Sequence, residues 1–103
     1  MIDWDRVKEL KEEIGEEDFA EVVEMFISEV DEVIERLKTQ PDPDSYEADL
    51  HFLKSSALNL GFADLASLCQ DGERRSAAGG ADTVTLAPIF ECYTSSKSAF
   101  EAG

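Results

Sequence analysis

Apolar side chains recur every three or four residues along most of the chain, which is the spacing of amphipathic α-helices. The spacing predicts five helices, over residues 3–14, 16–39, 44–60, 63–78 and 83–102. No alternating strand pattern and no internal repeat stands out. The second helix has the clearest pattern, because its apolar positions form one continuous stripe: Phe19, Val22, Val23, Phe26, Val30, Val33, Ile34 and Leu37.

The start of the third helix can be interpreted in two ways. Asp44 with Glu47 three residues later forms a capping-box pattern, and Asp42 followed by Pro43 at the first helical position fits equally well. Gly61 is expected to end this helix in a left-handed conformation.

Two residues fit their predicted helices poorly. Gly72 lies in the middle of the fourth helix, where glycine costs about 1 kcal/mol relative to alanine, and the sequence offers no reason for it. Pro88 is tolerated only near a first turn, so the last helix either starts late or is kinked there.

Amphipathic helices joined by short loops bury their apolar stripes most economically against one another. The predicted fold is therefore all-α: an antiparallel up-down-up-down four-helix bundle. The first helix is short and highly charged, and it is expected to cap one end of that bundle. With 103 residues, the chain is expected to form a single domain over residues 1–103.

Charge narrows the range of partners. The chain has 24 acidic and 9 basic residues and a net charge of -15, so it repels nucleic acid and anionic membranes. No apolar run approaches the roughly 20 residues of a membrane span, and no signal peptide is visible, so a cytoplasmic protein is expected. Cys69 and Cys92 lie on apolar helix positions and are expected to be buried thiols without a disulfide.

His51 is the only histidine, and its predicted helix directs it away from the core. Successive helical residues turn by about 100°, which places Tyr46, Leu53, Ala57 and Leu60 on the opposite side. A solvent-facing imidazole can act as a nucleophile, and apolar neighbours suggest that a partner docks over it. The residues within roughly 60° of His51 on this projection are Glu47, Lys54, Ser55, Leu58 and Phe62.

Metal chemistry and independent catalysis are both disfavoured. A single histidine without convergent His–Glu spacing argues against a metal centre in a bundle, and no nucleotide-binding element is present. Besides Lys54, no second catalytic group is expected to approach His51, so we expect no cofactor on this chain and no autonomous turnover.

One set of residues resembles the signature of histidine-containing phosphotransfer (Hpt) domains. That signature has the form His-x-x-Lys-Gly-Ser-Ser/Ala-x-x-x-Gly, followed by Leu, Cys and Glu at four-residue steps. Ser55 stands where the family usually has glycine; it is still small, and its hydroxyl can bond a phosphoryl oxygen. The matching residues are His51, Lys54, Ser56, Gly61, Leu65, Cys69 and Glu73.

The resemblance implies a phosphoryl carrier. His51 would accept a phosphoryl group from a receiver-domain aspartate and pass it to another, with Nε2 as the phosphorylated atom and Lys54 offsetting phosphoryl charge. The implied partners are response-regulator receivers, which would supply Mg²⁺, and hybrid sensor kinases. The chain starts with methionine and has no attached receiver or kinase segment, so a free-standing, monomeric carrier is expected, a fragment of a larger kinase being the alternative. The expected partner-binding residues are Glu47, Ala48, Ser55, Leu58, Asn59 and Phe62.

Other interpretations stay open. Lys54 could be an ordinary surface lysine attracted to Glu47 or Asp49, and Cys69 and Glu73 are expected to serve structure. Leu58 and Phe62 could pack at the helix end, and Asn59 and Ser56 could bond neighbouring backbone or helices instead of phosphate. The chain could also be an adaptor that sequesters a receiver without phosphotransfer, which Ser55 favours, or a structural bundle with no receiver partner.

Overall fold

Five α-helices make up most of the computed structural model, which describes residues 2–103 of the expected domain. Among these residues there is an isolated β-bridge between Ile2 and Phe62 and no strand, so the predicted all-α class is confirmed. Short 3₁₀ turns at Pro43–Ser45 and Ala81–Thr83 precede the third and fifth helices. The helices are α1 (Trp4–Ile14), α2 (Glu16–Thr39), α3 (Tyr46–Leu60), α4 (Ala63–Ala77) and α5 (Ala87–Ala102).

Two helices begin later than the sequence predicts. The Asp42 carboxylate accepts a hydrogen bond from the Asp44 N–H at 3.0 Å, which opens the 3₁₀ turn with the proline between them, and α3 starts only at Tyr46. Asp42 and Pro43 therefore begin the 3₁₀ turn, as the second interpretation pairs them, but neither interpretation gives the first residue of the α-helix. α5 starts at Ala87, so Pro88 lies in its first turn, where its missing N–H has no helical partner to lose.

The core lies between α2, α3, α4 and α5. The four residues predicted to lie opposite His51 are all buried, which confirms the helical projection. α3 packs against α2 and most extensively against α4, and α5 packs against α4. The buried core residues are Val30, Ile34, Leu37, Tyr46, Leu50, Leu53, Ala57, Leu60, Phe62, Leu65, Ala66, Cys69, Ile89 and Tyr93.

The predicted stripe of α2 is only half buried. Val30, Ile34 and Leu37 are inside the core, whereas the apolar residues of the first half of the helix, from Phe19 to Ile27, keep part of their surface exposed. Of these residues, Val23 and Ile27 line a groove between α2 and α5.

α1 packs against α2 and α3 and covers the turn that joins α3 to α4. The Asp3 N–H donates a 2.7 Å hydrogen bond to the Gly61 carbonyl, and Trp4 stacks on Phe100 of α5 with ring centroids 6.0 Å apart. Gly61 has φ of +76°, and a Cβ there would lie 2.6 Å from the Asp3 carbonyl oxygen and 3.1 Å from a methyl group of Val7. Only glycine satisfies both the backbone conformation and the close approach.

Gly72 has a packing role that the sequence does not reveal. A Cβ at this position would lie 2.7 Å from Cδ1 of Leu50, whose side chain is fully buried. The helix tolerates glycine here because the missing side chain leaves the space that Leu50 of α3 occupies.

Both cysteines are free thiols. Cys69 is fully buried, and burial raises its pKa to about 12, so it behaves as an inert apolar residue, as expected. Cys92 is only partly buried, and burial also raises its pKa. Within residues 2–103, no helix is both long enough and apolar enough to cross a membrane.

Replacing Gly61 by alanine should destabilise the protein more than a left-handed conformation alone explains. We expect Gly61→Ala to lower the free energy of unfolding by about 3 kcal/mol, because strain adds to the clash with α1. Gly79→Ala is the matched control, since Gly79 has φ of +85° but open space around it, and about 1 kcal/mol is expected there. Urea denaturation measures both, and equal losses would contradict the packing role of Gly61.

Candidate functional site

His51 projects from α3 into solvent. Its side chain is 62% exposed, while Leu50 and Leu53 on the opposite face of the helix are fully buried. The burial of these two leucines fixes the rotation of α3 about its axis and thereby directs the imidazole outward. Lys54, one turn later, is partly buried beside it.

Glu73 of α4 joins these two side chains. Its Oε2 atom lies 2.7 Å from Nδ1 of His51, and its Oε1 atom lies 2.5 Å from Nζ of Lys54. The carboxylate is itself largely buried, with 19% of its side chain exposed. One carboxylate therefore holds both the imidazole and the ammonium in place across the α3–α4 interface.

This bridge determines the ionisation of Glu73. The hydrogen bond from Lys54 lowers the pKa of the Glu73 carboxyl, burial opposes that shift, and the contact with His51 adds to the lowering. The ionised carboxylate can only accept hydrogen bonds, so in the neutral imidazole we assign the proton to Nδ1. Nε2 then carries the free lone pair and has no hydrogen-bond partner among the described residues.

Besides Lys54, no second catalytic group was expected to approach His51, and the structure corrects this by placing the Glu73 carboxylate 2.7 Å from Nδ1 of the imidazole. Glu73 is 22 residues from His51 along the chain, and the packing of α4 against α3 places its carboxylate next to the imidazole. A usable signal did exist: Leu65 and Cys69 are buried, and Glu73 continues the same four-residue steps toward α3.

Lys54 does not pair with either acidic residue named as an alternative. The Asp49 carboxylate instead accepts hydrogen bonds from Arg36 of α2, at 2.5 Å, and from the Ser45 hydroxyl, at 2.8 Å. Glu47 forms no ion pair among the described residues, and it stays exposed. Lys54 is therefore ordered by its contact with Glu73.

Most of the expected partner-binding residues lie on one accessible face. The side chains of Glu47, Ala48, Ser55 and Leu58 are exposed, and Leu58 keeps 56% of its surface accessible. Asn59 is partly buried, and its side-chain oxygen accepts a 3.2 Å hydrogen bond from Arg6 of α1. An open depression beside the imidazole is lined by Asp44, Glu47, Ala48, His51 and Glu73.

Phe62 does not belong to this face, which corrects the expectation. It is completely buried, because the chain turns at Gly61 and directs the ring into the core. There it meets Phe100 edge-on, with centroids 5.6 Å apart, and Tyr93 at 6.4 Å. Phe62 therefore stabilises the helix end, which was the structural alternative.

The site consists of the His51 imidazole and the Lys54 ammonium, each paired with the Glu73 carboxylate. Among residues 2–103, no group of three or more histidine, cysteine, aspartate or glutamate side chains is arranged to hold a metal ion. The chemistry visible here is that of a carboxylate-bound imidazole with an adjacent ammonium group.

The fold and site define an all-helical domain that displays one exposed histidine from a helix hairpin. The chain belongs to the Hpt domain family, whose sequence model matches residues 21–93. The match includes all of α3 and α4, and hence His51, Lys54 and Glu73. Hpt domains are phosphocarriers that act in histidine phosphotransfer within phosphorelays. Searches of curated proteins and of solved structures gave no match.

The Glu73 bridge should make stability depend on pH. Its folded pKa lies below the ordinary value of 4.5, so its contribution is present above that value and is lost as pH falls through the folded pKa. We expect Glu73→Gln to lower the free energy of unfolding by about 1 kcal/mol at pH 7. The difference from the wild type should shrink as pH falls below 4.5 and through the lower folded pKa, where the wild-type carboxyl becomes protonated.

Urea denaturation at several pH values measures this difference. Glu47→Gln serves as the control, since Glu47 is exposed and outside any ion pair of the described residues. A difference for Glu73→Gln that stays constant between pH 7 and pH 3 would show that the bridge does not contribute through charge.

Proposed function

We propose that this chain carries phosphoryl groups on His51 between receiver domains. His51 accepts the group from a phosphorylated aspartate of one receiver and passes it to an aspartate of another. The observation that supports this most directly is an exposed imidazole whose Nδ1 is held by Glu73 at 2.7 Å. That contact assigns the free lone pair to Nε2, the nitrogen with no hydrogen-bond partner among the described residues.

The transfer needs little chemistry from the carrier. The Nε2 lone pair attacks phosphorus in line, and the bond from phosphorus to the aspartyl oxygen breaks, returning its electron pair to the aspartate carboxylate. The ring then carries a positive charge and keeps its Nδ1 proton, which Glu73 stabilises. Transfer to the next receiver reverses these steps.

Lys54 is placed to balance the charge of the phosphoryl group. An ammonium group has three N–H donors, so Lys54 can keep its bond to Glu73 and still donate to a phosphoryl oxygen. We infer that Mg²⁺ is supplied by the receiver and that this chain contributes the nucleophile, the ammonium group and the docking surface.

The accessible face around His51 suits a receiver surface. Leu58 and Ala48 offer apolar area close to the nucleophile, and Ser55 is small enough to let a partner approach. Asp44 and Glu47 add negative charge at one side. We infer a partner face with an apolar centre and basic residues at its edge, on a free receiver or within a hybrid sensor kinase.

We also infer that residues 1–103 form one monomeric domain, with α2 to α5 as the four-helix bundle and α1 as its cap. The Asp3–Gly61 hydrogen bond and the Trp4–Phe100 stack attach α1. The Tyr93 hydroxyl donates to Asp31 at 2.6 Å and connects α5 to α2. A monomer leaves His51 free for successive partners.

Phosphoryl transfer from a radiolabelled receiver tests the proposal. Wild-type protein should gain an acid-labile, base-stable label, and His51→Gln should gain none because the nucleophile is missing. The variant should stay folded, with its free energy of unfolding changed by less than about 0.5 kcal/mol, since position 51 is exposed. Measurable binding without label, using a receiver shown to donate to another carrier, would contradict the proposal and favour an adaptor.

Lys54 and Glu73 should affect transfer more than docking. We expect Lys54→Ala and Glu73→Gln each to slow transfer by about tenfold or more, through lost charge balance and lost imidazole orientation. Receiver affinity, measured by calorimetry, should change by less than about twofold. Glu73→Gln should also alter the pH profile of transfer, as expected for a positioning residue. If both variants transferred the phosphoryl group at the wild-type rate, the Glu73 bridge would have only a structural role.

A further inference from the structure

A second surface lies between α2 and α5, as a groove of about 790 Å³. None of the residues that line it contributes to the His51 site. Its apolar floor consists of Val23 and Ile27 from α2 and Phe100 from α5, all of which keep part of their surface exposed. Val23 belongs to the apolar stripe of α2 and Ile27 lies beside it, so the fold leaves apolar surface of α2 uncovered here.

Acidic side chains surround this floor. Asp31 is already engaged, since it accepts from the Tyr93 hydroxyl and lies 3.5 Å from Nζ of Lys97. The remaining carboxylates at the rim are Glu24, Glu32 and Glu101, which are exposed and form no ion pair within the described part of the chain.

The apolar floor and the acidic rim together indicate what kind of segment could bind in the groove. An apolar floor with unpaired carboxylates at its edge complements a segment that has apolar residues on one side and lysine or arginine on the other. A second copy of this chain is disfavoured, because each copy carries a net charge of -15. The same charge disfavours nucleic acid and anionic membranes.

The size of the groove fits a short helix. Its α2 wall runs from Val23 to Glu32, which spans about 14 Å, or two to three helical turns. We propose that this groove binds a basic amphipathic helix of a partner protein, with its apolar side chains against Ile27 and Phe100. Such a helix would leave His51 accessible, so this site is separate from the proposed phosphotransfer function.

A designed peptide provides the probe: about 14 residues with leucines on one helical face and lysines elsewhere. A peptide of the same composition, scrambled so that the leucines do not share a face, controls for general attraction to an acidic protein. In NMR titrations we expect the amphipathic peptide to shift backbone amide signals of residues 23–32 and 97–101. The scrambled peptide should bind more weakly and without that pattern.

Charge reversal at the rim tests the position of the site. Glu32→Lys should weaken binding of the amphipathic peptide by about fivefold or more. Glu29→Lys, at an exposed α2 position outside the groove, makes the same charge change and should weaken binding by less than about twofold. Circular dichroism checks that both variants fold.

The proposal would be overturned by equal weakening by the two variants, by signal changes centred on the His51 face, or by equal binding of the scrambled peptide. Sedimentation that shows self-association through the groove would also overturn it. Because Glu32→Lys should transfer phosphoryl groups at the wild-type rate, failure here is distinguishable from failure of the proposed carrier function.

Discussion

The contact between Leu50 of α3 and Gly72 of α4 sets how closely the two helices approach at the site. A Cβ on residue 72 would lie 2.7 Å from Cδ1 of Leu50, so any larger residue forces a rearrangement. Leu50 directly precedes His51, and Gly72 directly precedes Glu73. The same close approach that buries Leu50 therefore brings the imidazole and the carboxylate to hydrogen-bonding distance, and the geometry of the His51–Glu73 pair depends on core packing.

The Glu73 carboxylate adds negative charge at Nδ1 of the imidazole whose Nε2 would meet a phosphoryl dianion in the proposed transfer, which at first looks unfavourable. Two effects would offset this repulsion. Lys54 neutralises part of the carboxylate charge, and in the proposed transfer the ring would become positive as the Nε2–phosphorus bond formed. Glu73 would then face an imidazolium and Lys54 the phosphoryl oxygens, so that opposite charges would stay adjacent.

Periodicity alone predicted the helices and the outward direction of His51, because both depend on local spacing that core burial enforces. The contact of Glu73 with His51 depends on how two helices pack, which spacing within one helix does not specify. The prediction that Phe62 lies on the partner-binding face was wrong for a related reason. Phe62 follows Gly61, where the chain leaves the helix and the helical projection no longer applies. The role of Gly72 likewise became visible only with Leu50 in place.

α2 connects the two surfaces, and its contacts indicate how far they influence each other. Arg36 near its C-terminal end binds Asp49, two residues before His51, while Asp31 near its middle binds Tyr93 of α5. Ile34, between these two contacts, and Leu37, next to Arg36, are buried in the core. A segment in the groove could alter His51 only by moving α2 against this packing, which close-packed interiors resist. Occupants of the two surfaces should therefore bind independently, so that a partner in the groove would stay attached while receivers exchanged at His51 in the proposed transfer.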